Sequence, residues 1–174
     1  MKVAKIQICC VSVPLAYPHR TASGVVATSP LVLMTVVTDA GVCGHSITFT
    51  YTPAALKPVA DLMQAMEPML VGQPLAPAAL WEQLHGRFRL LGTQGLVGMA
   101  LAGIDMALWD AFARTQNLPL YTLLGGAPKP VRAYGAVGFD GAEGSARTAE
   151  NWARLGFQGV KAKIGYSSLA EDLA

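Results

Sequence analysis

Gly159-Val160-Lys161-Ala162-Lys163-Ile164-Gly165 alternates apolar and basic residues between two glycines. On a strand, a side-chain period of two puts Lys161 and Lys163 on one face and Val160, Ala162 and Ile164 on the other. Upstream, Val131–Ala136 reads as a strand. Ala142–Leu155 has the spacing of an amphipathic helix with Trp152 and Leu155 inward, and Ser168 is placed to cap a further helix. Strand, helix, strand, helix at these intervals is a βαβ unit of a parallel sheet. From Lys129 to Ala174 the pattern therefore predicts the opening of a β/α domain.

The preceding residues, 1–128, follow a different rule. Val3–Val13 is rich in β-branched residues, Leu31–Thr38 is a compact apolar run, and Asp39-Ala40-Gly41 turns the chain into Val42–Phe49. Short connections favour antiparallel neighbours, so these three form a small meander. Pro14–Ser29, with two prolines and Gly24, reads as a mobile loop of the kind that carries binding residues. Thr52 can cap a helix with Pro53 at its first position and Leu56, Val59, Ala60, Met63 and Met66 on one face. Pro58 is awkward inside it. A second helix is expected over Ala78–Phe88. A long third runs from Thr93 to Arg114, ended by Asn117 and Pro119 before Gly125-Gly126. The fold class is thus α+β: a three-stranded meander plus a helical bundle, then two units of a (β/α) barrel.

Composition narrows the function. A chain that is 52% hydrophobic and 14% charged has a real core. A net charge of +2 with no basic run gives no reason to expect nucleic acid or an anionic membrane. Cys9, Cys10 and Cys43 form no disulfide pattern and read as reduced thiols of a cytoplasmic protein. The N-terminal apolar run is interrupted by Gln7 and Ser12, which argues against a signal peptide. Gly95–Ala113 approaches membrane-spanning length but contains Asp105 and Asp110, so a buried helix is expected.

Lys161 and Lys163 have two readings. In a β/α barrel their face points inward and, near the C-terminal strand end, reaches the active-site mouth. Two close ammonium groups there disfavour each other's charge, which equips one to act as a base. The plainer reading is a half-buried strand whose lysines face water and blunt a sheet edge.

Several stretches together resemble the enolase superfamily. Ala102-Gly103-Ile104-Asp105-Met106-Ala107-Leu108-Trp109-Asp110, Leu118-Pro119-Leu120-Tyr121 and Leu123-Leu124-Gly125-Gly126 are similar to its capping-domain signature. Lys161-Ala162-Lys163 is similar to its Lys-x-Lys motif on the second barrel strand. Val13–Pro18, Pro30–Leu33, Gly44-His45-Ser46, Tyr51-Thr52-Pro53 and Lys163–Tyr166 resemble the mandelate racemase/muconate lactonizing enzyme family within it.

The resemblance implies a capping domain over residues 1–128, a barrel beginning at 129, and removal of the proton α to a carboxylate with Mg²⁺ as cofactor. It assigns Lys163 as the base for one face of a small carboxylate substrate, with Lys161 as its neighbour. Tyr51, His19, Val26 and Ala136 fall at substrate-binding positions. No metal ligand and no second base is expected within this sequence, because a complete barrel needs about 250 residues. His19 stands where mandelate racemases carry an apolar flap residue, and Ala136 where they offer a serine hydroxyl. Both departures leave a related 2-hydroxy acid or an acid sugar open. So does an inactive, partner-binding capping module. The family likeness further implies a homo-oligomer.

Other candidates have structural readings. Asp105 and Asp110 are expected to be buried carboxylates bonded to backbone or to a basic partner. His45 beside Cys43 lacks a second ligand cluster. His85 reads as a helix-surface residue, and Trp81, Trp109 and Trp152 as core residues of separate helices.

Overall fold

The computed structural model describes Met1–Thr21 and Gly24–Leu173. These residues divide into two compact units, Met1–Val13 with Ser29–Pro128, and Pro14–Thr28 with Lys129–Ala174.

A sheet of order β1-β2-β3 is built from β1 (Val3–Thr21), β2 (Gly24–Thr38) and β3 (Cys43–Phe49), of which residues 3–13, 29–38 and 43–49 belong to the first unit. β2 and β3 pair antiparallel from Leu31↔Phe49 to Val37↔Cys43. The turn between them is closed by Thr38, whose hydroxyl accepts from the Val42 amide at 3.0 Å, and by Gly41 at φ 80°. The period of two places Val32, Met34 and Val36 inward, where each is 0–1% exposed.

Both β1 and β2 run well beyond the strands expected from sequence. Pro14–Thr21 and Gly24–Ser29 are strand, so the expected loop at 14–29 is a long hairpin instead, with Ala22 and Ser23 outside the described residues. Proline removes a ladder donor, but β1 is an edge strand with one side that needs none. Pro14 and Pro18 have the same parity, so both missing N–H groups fall on one side.

Helices cover one face of this sheet. α1 (Pro53–Ala65) begins at Thr52, whose hydroxyl accepts from the Ala54 amide at 3.4 Å, and buries Ala55, Val59, Ala60 and Met63. α2 (Glu67–Leu70) and α3 (Pro77–Arg87) lead to α4 (Leu96–Thr115), which packs on β3, α1 and α3. Small residues recur on α4 at Ala100, Gly103, Ala107 and Ala111, and this stripe admits β3 closely. A Cβ on Gly44 would lie 2.2 Å from the Ala111 nitrogen, and one on Gly103 would lie 2.5 Å from the Thr48 hydroxyl. α4 is long and apolar enough to cross a membrane by length and composition. Its buried Leu101, Ile104 and Leu108 instead pack in the common core, each contributing about 1.5–3 kcal/mol. It ends as Asn117 predicted. Asn117 takes φ 52°, its amide donates to the Arg114 carbonyl, and Leu118 N–H donates back to the Ala113 carbonyl, each at 3.1 Å. α5 (Leu120–Leu123) follows.

In the second unit, β4 (Gly135–Ala136) and β5 (Val160–Lys161) pair in parallel, joined by α6 (Gly141–Arg154) and followed by α7 (Leu169–Leu173). The βαβ order is as expected, but the strands are shorter: Val131 and Tyr134 are exposed, and pairing ends at Lys161. Trp152 turns inward and Leu155 does not, being 70% exposed. Leu155 is the residue after the last helical turn, and Phe157 takes the inner place, its ring 4.8 Å edge-on from Trp152.

Candidate functional site

Backbone pairing of β4 with β5 brings two of the predicted site residues, Ala136 and Lys161, side by side. Gly135 pairs with Val160 and Ala136 with Lys161, fixed by Gly135 N–H to the Gly159 carbonyl at 3.1 Å and Val137 N–H to the Lys161 carbonyl at 3.0 Å. Register partners project on the same side of a sheet, so Ala136 and Lys161 share a face. Lys163 follows two residues later and is half-buried, whereas Lys161 is exposed. The apolar set does not pack against helices as the alternation suggested: Val160 and Ile164 are 44% and 77% exposed. α6 covers β4 rather than β5. Its Trp152 donates from Nε1 to the Ala136 carbonyl at 2.9 Å and lies over Gly135, where a Cβ would come within 2.1 Å of the indole.

Beyond Lys163 the chain is pinned locally. Asp172 Oδ1 accepts from the amides of Gly165 at 2.8 Å and Tyr166 at 3.1 Å. Ser168 and Glu171 form a capping box for α7, the hydroxyl accepting from the Glu171 amide and the carboxylate from the Ser168 amide. Tyr166 packs its ring edge-on to Phe139 at 4.9 Å, and its hydroxyl accepts from the Gly141 amide at 3.1 Å.

His19 and Val26 lie half-buried on the two strands of the hairpin end. Next to His19, Arg20 meets the segment after β4. Its carbonyl accepts from Phe139 N–H at 3.3 Å, and its Nε lies 3.5 Å from Asp140 Oδ1. Sequence reasoning passed over Phe139 and Asp140, and gave Tyr166 no role beyond its place in the matching stretch Lys163–Tyr166. The Asp140-Gly141 pair, a turn signature, was the available signal.

Tyr51 belongs to the first unit and is 74% exposed. It sits at φ 61° with Thr52 N–H donating to the Thr50 carbonyl at 2.7 Å, which makes Tyr51 the centre of a γ-turn of the strained hand. Thr50 anchors the turn, its amide and hydroxyl both donating to the Pro30 carbonyl at 3.0 and 3.2 Å. The Tyr51 ring rests against Phe49, centroids 4.6 Å apart.

The remaining polar candidates have structural partners. Asp110 accepts from the His45 amide and from Arg114 Nε, both at 2.8 Å, joining α4 to β3. The His45 ring bonds Thr35 at 3.0 Å. Burial pushes the Asp105 carboxyl above its ordinary value, opposed by a hydrogen bond with Trp109 and by the charge of His85. His85 is not the surface residue expected. It is half-buried, its ring 4.0 Å from Trp81, with a buried Nε2 that has no partner among the described residues. Its i, i+4 spacing from Trp81 folds the ring onto the indole instead of into water.

Three or more His, Cys, Asp or Glu side chains nowhere converge among the described residues. Without such a convergence of carboxylates, the described residues do not fit a Mg²⁺ site.

Comparison with known proteins fits this architecture. The family model for the mandelate racemase / muconate lactonizing enzyme N-terminal domain matches residues 3–125. L-Ala-D/L-Glu epimerase of Bacillus subtilis is 33% identical over all of this chain and 47% of its own length. D-mannonate dehydratase of Novosphingobium aromaticivorans is 32% identical over 87% of this chain and 38% of its own. A crystal structure of an enolase from Bradyrhizobium complexed with magnesium and mandelic acid superposes with a TM-score of 0.86 at 40% identity, covering 98% of this chain and 48% of that one. The chain spans about half the length of the relatives it matches. With the family's N-terminal domain matched over more than half of its residues and the fold reproduced, the chain belongs to the mandelate racemase / muconate lactonizing enzyme family of the enolase superfamily.

Proposed function

We propose that this chain is the N-terminal part of a metal-dependent racemase acting on a mandelate-like 2-hydroxy acid, in which Lys163 removes the proton α to the carboxylate. The observation that supports it best is the register of Ala136 with Lys161. Lys161 shares a sheet face with a position assigned to substrate, and Lys163, two residues on, is half-buried. Lys161, exposed beside it, is suited to pair with the substrate carboxylate. The hairpin end with His19 and Val26, and the turn at Tyr51, supply the specificity surfaces. Metal chemistry falls to residues other than those described, so the proposed contribution of this chain is the base, its neighbour and the flap.

A second reading is an acid-sugar dehydratase of the same superfamily. His19 favours it, because a half-buried imidazole suits a hydroxylated substrate better than an aryl ring. A third is a non-enzymatic capping module that binds a partner, with no turnover.

Proton exchange into solvent deuterium, followed by NMR on each enantiomer of a 2-hydroxy acid, separates these. In a chain extended to the relatives' length, Lys163→Ala abolishes exchange from one enantiomer, a loss of at least about 10²-fold. Unchanged exchange in that variant removes Lys163 as the base. The purified 174-residue chain is expected to show no Mg²⁺-dependent racemisation. Turnover by it refutes the assignment of the missing chemistry to other residues.

A further inference from the structure

The Gly138-Phe139-Asp140-Gly141 turn touches two things at once. On one side it receives the hairpin end. Phe139 N–H donates to the Arg20 carbonyl at 3.3 Å, and Arg20 Nε faces Asp140 Oδ1 at 3.5 Å. Gly138 permits this approach, since a Cβ there would stand 3.2 Å from the Arg20 oxygen and 3.0 Å from Asp140 Oδ2. On the other side it receives the segment after Lys163. The Phe139 ring packs edge-on against Tyr166 at 4.9 Å, and Gly141 N–H donates to the Tyr166 hydroxyl at 3.1 Å. Tyr166 is three residues from Lys163 and Arg20 is next to His19, so one four-residue turn joins the flap to the lysine segment.

We propose that this turn is a latch that couples seating of the flap hairpin to the position of the lysine segment, with Asp140 and Tyr166 as positioning residues. It rests on the reading of Lys163 as base only for its catalytic meaning. The physical coupling stands or falls separately. An exposed flap strand needs some force to stay down without being locked. A hydrogen bond plus an ion pair whose side chains are 61% and 31% exposed gives such a reversible hold. Tyr166 is fixed from behind by Asp172, through the Gly165 and Tyr166 amides, so movement of the turn reaches the backbone next to Lys163.

Hydrogen–deuterium exchange on the 174-residue chain tests this without substrate. Asp140→Asn is expected to speed amide exchange in the hairpin end about two- to fivefold, the size set by one solvent-exposed ion pair. Exchange in α4 should stay unchanged, as a check that the fold is intact. Tyr166→Phe removes the bond to Gly141 and is expected to accelerate exchange both in residues 160–166 and in the hairpin end. Raising the salt concentration on the unaltered chain should reproduce the hairpin effect of Asp140→Asn and add little to that variant. This arm needs no variant to fold. A hairpin indifferent to salt and to Asp140→Asn overturns the latch. Acceleration confined to residues 160–166 in Tyr166→Phe overturns the coupling. Either failure leaves the deuterium test of Lys163 standing, and failure of that test leaves the latch measurable.

Discussion

Replacing Tyr51 by glycine should leave the chain more stable than replacing it by alanine, the reverse of the usual order. At ordinary positions glycine is worse than alanine by about 0.5–1 kcal/mol, because its unfolded chain has more freedom to lose. Tyr51 sits at φ 61°, where a Cβ crowds the following carbonyl and costs about 1–2 kcal/mol. Both variants lose the ring contact with Phe49, so that contribution cancels in the comparison. The opposing backbone terms leave glycine ahead by up to about 1.5 kcal/mol, with a midpoint of about 0.75. Urea unfolding of the two variants, read by far-ultraviolet circular dichroism, measures the difference directly, provided the m-values agree. An alanine variant as stable as the glycine variant would mean that the turn relaxes once the tyrosine is gone. The strain would then belong to the side chain's placement against Phe49 and not to the backbone. The comparison also bears on function. A large residue held at a costly φ and 74% exposed is retained against stability, which is expected of a side chain presented to a ligand. Tyr51→Gly in the extended enzyme should therefore raise KM while the fold loses little.

Two further outcomes follow from packing and charge. Gly44→Ala drives a Cβ to 2.2 Å from the Ala111 nitrogen, backbone against backbone, and should destabilise by about 3 kcal/mol or more in the same unfolding assay. Burial raises the Asp105 carboxyl above 3.8, so between that value and its folded value the native state holds more protons than the unfolded one. Stability from this group is thus present at low pH and lost as pH rises through the folded value. Stability of the wild-type chain relative to Asp105→Asn should fall over that window, and a pH-independent difference would exclude the effect.

Much of the fold was legible because it depends on local signals. Thr52 before Pro53 fixed the start of α1, and Asn117 before Pro119 fixed the end of α4, since caps and left-handed residues act within one turn. The inward positions of α1 and of β2 followed from period alone. The hairpin end did not, because prolines and small residues between 14 and 29 read as a loop. Whether such a segment stays extended depends on a neighbouring strand, which no window of sequence contains. His85 failed for the same kind of reason: its environment is set by Trp81 and by α4 across the helix pair.

The site was half legible for a different reason. Alternation predicts one face for Lys161 and Lys163, but β5 ends at Lys161, and alternation does not say what lies beside that residue. Pairing supplies that: Ala136 beside Lys161, with Trp152 holding the Ala136 carbonyl from the opposite direction. The apolar face of the same segment argues for a further covering layer. Val160, 44% exposed, lies on the side that a parallel strand normally buries under helices. A layer laid over Val160 would cover the face opposite Lys161, steadying the strand without burying the lysine. The pairing of Ala136 with Lys161 should therefore hold in the purified chain by itself, and rapid hydrogen exchange of the Val137 amide, which donates to the Lys161 carbonyl, would refute this.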